Sequence, residues 1–157
     1  MTGSILIPGI STRQQLTSPI YPGSNFTWAE ATKNGSRLPI DTVFRGQSIP
    51  AAQITRNIIT LAERLDKIRA DFGGRPIIII SWYRPPAVNR AVGGARHSHH
   101  QLGWGADFKI RGVAPREVAN RIAPTWAGGL GDNSAYTHLD LRHLMGWSST
   151  RWNYGSA

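Results

Sequence analysis

The sequence predicts a mixed α+β domain, a small antiparallel sheet flanked by helices, and three features carry that expectation. A long stretch after Pro50 repeats apolar residues at spacings of three and four, a short β-branched run follows it, and two further strand-length segments lie at residues 105–110 and 135–141. The 157 residues are one domain's worth and can enclose a core without disulfide or metal staples. With 40 % hydrophobic and 17 % charged residues, the chain is neither a disordered polyelectrolyte nor a membrane protein. Its longest apolar run, residues 76–80, is far too short to span a bilayer. Cysteine is absent, which excludes disulfide scaffolds, thiolate catalysis and cysteine-ligated zinc.

Residues 1–24 carry Pro8, Pro19 and Pro22 among Ser, Thr and Gly, and read as an extended N-terminal leader with little helix. The domain proper is expected over residues 25–157. Thr27-Trp28-Ala29-Glu30 fits a capping box, so a short helix should run to about Lys33 and end at Asn34-Gly35. The stretch to Ser48 is expected as a loop. From Pro50, the positions Ile54, Ile58, Leu61, Leu65, Ile68 and Phe72 mark one buried helical face, with Gly73-Gly74 as its left-handed stop. Residues 76–81 read as a strand buried on both faces, after which Ser81 to Pro86 leaves the sheet. A second strand is expected at 105–110. A short helix opens at Val113-Ala114-Pro115, with Val118 and Ile122 on one face and Pro124 as its stop. Gly128-Gly129-Leu130-Gly131 is read as the turn before a last strand at 135–141.

Eighteen Lys and Arg against nine Asp and Glu give a formal charge of +9 and a pI near 11.1, which favours encounter with polyanions, whether nucleic acid or cell-wall polymer. The basic residues are scattered through every segment and no nucleic-acid-binding motif is present, so nucleic acid is not expected as a partner. Residues 1–10 show no cationic region followed by a long apolar stretch, so no standard secretory signal is visible.

Four of the five histidines concentrate the chemistry. His97, His99 and His100 crowd one loop, and His138 lies on the last expected strand. In Ser98-His99-His100-Gln101-Leu102-Gly103-Trp104-Gly105-Ala106-Asp107 a loop histidine precedes a strand aspartate by seven residues. An imidazole and a carboxylate there, with His138 as third donor, leave a fourth tetrahedral position for water, the arrangement of a catalytic zinc site.

Ser81-Trp-Tyr-Arg84, Asn89 to Gly94, Ser98-x-His100-x-x-Gly103-x-Gly-Ala106-Asp107 and His138-x-Asp140-x-Arg142 stand in one order. That series resembles the M15 family of zinc peptidases, the D-Ala-D-Ala carboxypeptidase and L-alanyl-D-glutamate endopeptidase group that trims peptidoglycan stems. The resemblance spans roughly residues 25–152. It implies the hedgehog/DD-peptidase-like α+β fold, zinc (Zn2+) as cofactor, and His100, Asp107 and His138 as the metal ligands. His99, six residues before Asp107, is the rival to His100. Arg84 looks like the family arginine that binds the scissile carbonyl oxygen. Ser98 is similar to residues that hold substrate carboxylate or carbonyl groups, and a plain turn serine is the alternative.

Many members place an acid three residues before the last ligand, where this chain has Ala135. Asp140, which on a strand shares the face of His138, is then favoured as general base because the His-x-Asp pair recurs in the subgroup that the chain resembles, with orientation of an imidazole as its alternative role. Asp132, in the preceding turn and similar to the acid of hedgehog domains, is the rival base. Tyr136 shares the strand face and could donate to the oxyanion or belong to the core, and Trp82, Tyr83 and Trp104 could wall the cleft or fill the core.

The implied activity is metal-assisted hydrolysis of a peptidoglycan stem-peptide amide by a monomeric enzyme without a membrane span, acting in the periplasm or cell wall. With no secretory signal visible, a phage-encoded endolysin, an injected enzyme or one released by lysis would fit. A catalytically inactive hedgehog-like zinc domain that binds cell wall or another partner is the alternative.

Overall fold

In a computed structural model, which describes residues 4–153, four helices accompany a five-stranded sheet and two small hairpins. The first hairpin pairs β1 (Ser4–Ile5) with β2 (Gln14–Gln15). The described part of the segment expected as an extended leader, residues 4–24, thus has no helix, and its Ile7 and Ile20 side chains are buried in the common core. Asp66, on the long helix, ties this segment down by accepting from Tyr21 Oη at 2.5 Å, Ser24 Oγ at 2.7 Å and the Asn25 backbone N–H at 3.0 Å. Burial raises the Asp66 carboxyl, but these donors outweigh it and hold the group below its usual range.

Helix α1 (Trp28–Thr32) begins with the expected capping box, the Thr27 backbone N–H donating to Glu30 Oε1 at 2.9 Å. It ends one residue earlier than expected, because Lys33 itself adopts the left-handed conformation at φ 48°. The expected loop to Ser48 instead holds a second hairpin, β3 (Thr42–Phe44) and β4 (Gln47–Ile49), which turns through Arg45-Gly46, both at positive φ. Helix α2 (Ala51–Asp71) buries Ile54, Ile58, Leu61, Leu65 and Ile68, as its periodicity predicts.

The main sheet runs in the order β5-β6-β8-β7-β9. Strand β5 (Ile77–Ser81) is its edge, and Ile78 and Ile80 are exposed, which corrects the expectation of a strand buried on both faces. Helix α3 (Pro86–Ala91) follows, entered through Pro86 in its first turn and not anticipated from sequence. Strand β6 (Gly105–Ile110) has the expected bounds, and helix α4 (Pro115–Ile122) buries Val118 and Ile122. The glycine segment read as a turn is strand β7 (Gly129–Asp132), paired antiparallel to β8 (Thr137–Asp140). Strand β9 (Thr150–Asn153) then adds parallel to β7, so β8 is not the last strand and the sheet is antiparallel except for one pair. Among the described residues no helix is long and apolar enough to cross a membrane.

Register assigns the two faces. Ala106, Phe108, Ile110, Leu130 and Leu139 alternate onto the buried core side, where Thr137 Oγ1 donates to the Pro115 carbonyl of α4 at 3.0 Å. Asp107 pairs with His138, and Gly105 with Asp140, on the other side. Gly129 and Gly131 oppose Asp140 and His138 there. A Cβ on Gly129 would lie 2.5 Å from an Asp140 carboxylate oxygen, and one on Gly131 would meet the Trp152 ring. The glycines are therefore strand residues that make room for a carboxylate and an indole.

Gly103 couples α2 to this face. At φ +78° it closes the 3₁₀ turn His99–Leu102, and an added Cβ would stand 2.8 Å from Ile58 Cγ1 and 3.0 Å from the Ile54 carbonyl oxygen. Gly103→Ala should cost about 2–4 kcal/mol through the left-handed backbone and overpacking together. Gly46→Ala, at φ +79° with open space around it, should cost only the backbone part. Paired urea denaturation curves check the difference.

Candidate metal centre

Each residue of the centre arrives from a different element. His100 comes from the 3₁₀ turn, whose start is capped by Ser98 Oγ accepting the His100 backbone N–H at 3.2 Å. Asp107 stands on β6 and His138 opposite it on β8. All three are at least 96 % buried, and their candidate donor atoms lie within 4.8 Å of one another.

The ring nitrogens are sorted by their outer partners. His100 Nδ1–H donates to the Trp82 carbonyl at 2.6 Å, which leaves Nε2 facing Asp107 Oδ1 at 3.2 Å. His138 Nε2–H donates to Asp140 Oδ2 at 2.8 Å, which leaves Nδ1 facing the same Asp107 oxygen at 2.8 Å. A tetrahedral ion with bonds of about 2.1 Å needs donors roughly 3.4 Å apart. Two imidazole nitrogens turned inward and one carboxylate oxygen, each imidazole anchored from behind, therefore fit a zinc ion.

Burial would raise the Asp107 carboxyl, but the His100 and His138 rings set against it prevail and hold it far below its usual range. Burial pushes His100 down, so it is neutral and able to ligate. Burial opposes protonation of His138 as well, yet the carboxylates of Asp107 and Asp140 raise it. Without an ion, that proton is what holds the two carboxylates around one ring together.

Arg84 completes the support. Its NH2 contacts Asp107 Oδ2 at 3.3 Å, its Nε donates to Ser81 Oγ at 3.1 Å and its NH1 to Asn89 Oδ1 at 3.1 Å. Ser81 reaches this face through an irregularity: Ile79 pairs with Phe108 on the core side, and the register shift at Ile80 turns Ser81 to sit beside Asp107.

The two acids expected as bases are both engaged by donors. Asp140 is fully buried and saturated: Oδ1 accepts from the Gly129 and Arg142 backbone N–H groups and from Arg142 Nε, while Oδ2 accepts from Arg142 NH2 and His138. Burial would raise it, but Arg142 and His138 hold it far below its usual range. Asp140 lies behind the imidazole, on the nitrogen turned away from Asp107. Asp132 pairs across the sheet with Thr137, on the face opposite His138, where Arg116 Nε holds it at 2.8 Å and Asn153 also donates to it. That register puts Asp132, the rival base, on the sheet face away from His138.

His99 is also turned away from the centre. Its Nδ1 accepts from Trp104 Nε1 at 2.9 Å and its ring meets Trp147 edge-on at 4.7 Å. Burial pushes it down to about 4. Trp82, Tyr83 and Trp104 are core residues behind the cleft rather than its walls. The cleft, about 960 Å³, is bordered by Arg84, Ser98, Tyr136 and the metal-site residues, together with Trp152, whose ring lies 5.2 Å from that of His138. Sequence reading gave Trp152 no role, since the only sign of it was the glycine opposite.

With this geometry in place, comparison with known proteins adds two findings. A family model described as Peptidase M15 matches residues 26–140. The chain is also similar to the zinc D-Ala-D-Ala carboxypeptidase of Streptomyces albus G, with 31 % identity over 84 residues that make up 54 % of this chain and 31 % of that protein. The match thus spans about a third of the relative's length.

Purified protein dialysed against trace zinc should hold about one ion per chain by elemental analysis. His100→Ala should remove most of it. His99→Ala should keep it while lowering the melting temperature, because His99 accepts the Trp104 indole N–H and packs on Trp147.

Proposed function

Because the chain belongs to the peptidase M15 family, we propose that it is a zinc peptidase hydrolysing an amide bond of peptidoglycan stem peptides, of the D-Ala-D-Ala carboxypeptidase or L-alanyl-D-glutamate endopeptidase type. Zinc is the cofactor common to the similar carboxypeptidase and to the donor set His100, Asp107 and His138. The observation that carries the reading is that group itself, buried at an open cleft with each imidazole tied back and its second nitrogen turned inward. Residues 25–157 are the peptidase domain in this reading, with residues 4–24 packed against it, and the site of action is the cell wall outside the cytoplasm.

Bound zinc supplies Lewis acidity, polarising a carbonyl oxygen and acidifying water. His100 and His138 ligate as neutral rings because the Trp82 carbonyl and Asp140 take their N–H groups. Arg84, braced by Ser81, Asn89 and Asp107, borders the cleft beside the ligand carboxylate and stabilises negative charge on the substrate carbonyl oxygen. Tyr136 lines the same wall and donates to the same oxygen. Asp140 is a positioning residue that fixes the His138 tautomer, and Ser98 fixes the turn that carries His100.

One observation favours a second reading, a zinc domain that binds stem peptides without turning them over. Among the described residues the cleft is lined by two carboxylates, Asp107 and Asp140, and both are fully engaged. Digestion of purified peptidoglycan, followed by mass spectrometry of the fragments, separates the two. The peptidase releases chelator-sensitive products of one defined cleavage, and the binding domain releases none.

Asp140→Asn tests the positioning role. It should weaken zinc affinity by about ten- to hundredfold and restore turnover when zinc is raised to saturation. A turnover that stays a hundredfold or more down at saturating zinc would instead mark Asp140 as the base.

A further inference from the structure

A second basin, of about 570 Å³, lies between the tip of the β3–β4 hairpin, helix α3 and the loop before the histidine turn. Arg45, Arg90, Arg96 and His97 line it, and among the described residues no acid does. The three arginines are exposed, and none has an ion pair among the described residues. Gly94, Arg96 and His97 also border the cleft, so the two openings share one wall.

The cations come from three elements, and each is fixed from below. At the hairpin tip Arg45 and Gly46 both take positive φ. Buried Phe44 beneath them packs against the rings of His97 and His99, at 6.0 and 5.4 Å, and the Arg45 guanidinium lies over the Trp147 ring at 4.7 Å. Arg90 stands on α3. The loop that carries Arg96 and His97 is tied down by two buried amides. Asn89 Nδ2 donates to the Ala95 carbonyl at 2.9 Å, and Gln101 Nε2 to the Arg96 and Ser98 carbonyls at 3.0 and 3.2 Å. A Cβ on Gly94 would collide with Asn89 Oδ1, so the loop can lie this close to α3 only with glycine there. Asn89 also accepts from Arg84 NH1, so one amide steadies both the metal-site arginine and this loop.

A concave surface lined by one sign of charge concentrates its field and draws in the opposite sign. All three cations are arginines, whose planar forks take phosphate oxygens through two parallel N–H donors. A lone carboxylate would engage one of them. A chain of phosphodiesters brings one negative charge per repeat and can engage all three.

We propose that this basin binds a phosphodiester-linked polyol chain, an anionic polymer of the cell wall, and so holds the neighbouring cleft against the wall. The peptidase reading supplies only the source of the polymer, because the binding requires neither zinc nor turnover.

The test uses the zinc-loaded protein and a fluorescently labelled oligo(glycerol phosphate), with binding read by anisotropy. Oligoglutamate and single-stranded DNA carrying the same number of charges are the comparison ligands. The glycerol phosphate chain should bind, and should be released as salt rises and shortens the Debye length from about 10 Å at 0.1 M to about 3 Å at 1 M. Arg90→Gln/Arg96→Gln should weaken it by about three- to thirtyfold, the range for two exposed charge contacts. Arg90→Glu alone should weaken it in the same direction. Arg64→Gln/Lys67→Gln, which removes two exposed charges from α2, should change it by less than about twofold. Unchanged zinc content and melting temperature show that the variants are folded.

No binding of the chain, an equal loss in the two double variants, or oligoglutamate bound as tightly would overturn the site. DNA bound more tightly, and lost in Arg90→Gln/Arg96→Gln, would overturn it by assigning the basin to nucleic acid. Cleavage of stem peptides without chain binding leaves the peptidase reading standing and removes this one. Chain binding that depends on Arg90 and Arg96, in a protein that cleaves nothing, does the reverse.

Discussion

A buried carboxylate without partners is ruled out by desolvation, and Asp107 is held in place by three side chains that arrive from separate parts of the chain. His100 and His138 meet one oxygen and Arg84 the other. Each partner has its own brace: the Trp82 carbonyl behind His100, Asp140 behind His138, Ser81 and Asn89 behind Arg84. The elements before and after β6 are therefore bound to one another through a single side chain. An ion at this place would exchange the His138 proton for a divalent charge and leave the braces as they are.

The sheet supplies the precision. Antiparallel pairing puts His138 directly across from Asp107, and alternation sends Asp140 to the same face two residues on. Space for these side chains comes from the neighbouring strand, where Gly129 and Gly131 carry no Cβ. Trp152 then closes over Gly131 from β9, bringing an indole against the His138 ring. The opposite face does the ordinary work of a core, with Phe108, Leu130 and Leu139 packed under α4 and α2 anchoring the histidine turn through Gly103. Asn57 Nδ2 adds a hydrogen bond from α2 to the Leu102 carbonyl at 2.9 Å.

The net charge of +9 is spread along the chain, but its useful part is local. Two cations of the cleft are consumed by the site's own carboxylates, and the remainder face an open volume. Long-range attraction to a polyanion is screened beyond about 10 Å at 0.1 M salt. A half-buried guanidinium such as that of Arg37 is screened far less, and the scattered surface charge acts mainly on encounter.

What the sequence determined by itself was local or strictly periodic. The capping box at Thr27, the buried face of α2, the bounds of β6 and the His100, Asp107 and His138 triplet all follow from spacings within one element or one motif series. Where a residue's role depends on the strand beside it, the sequence misleads. Gly128 to Gly131 looks like a turn because a missing Cβ reads the same whether it frees a backbone or makes room for Asp140. Asp132 and Asp140 look equivalent until register puts one on each face of the sheet. Ser81 and Trp152 reach the site through a register shift and a parallel strand that no local pattern announces. Pairing partners are chosen by tertiary contact, and with a side-chain period of two, a change of one residue decides which face a group serves.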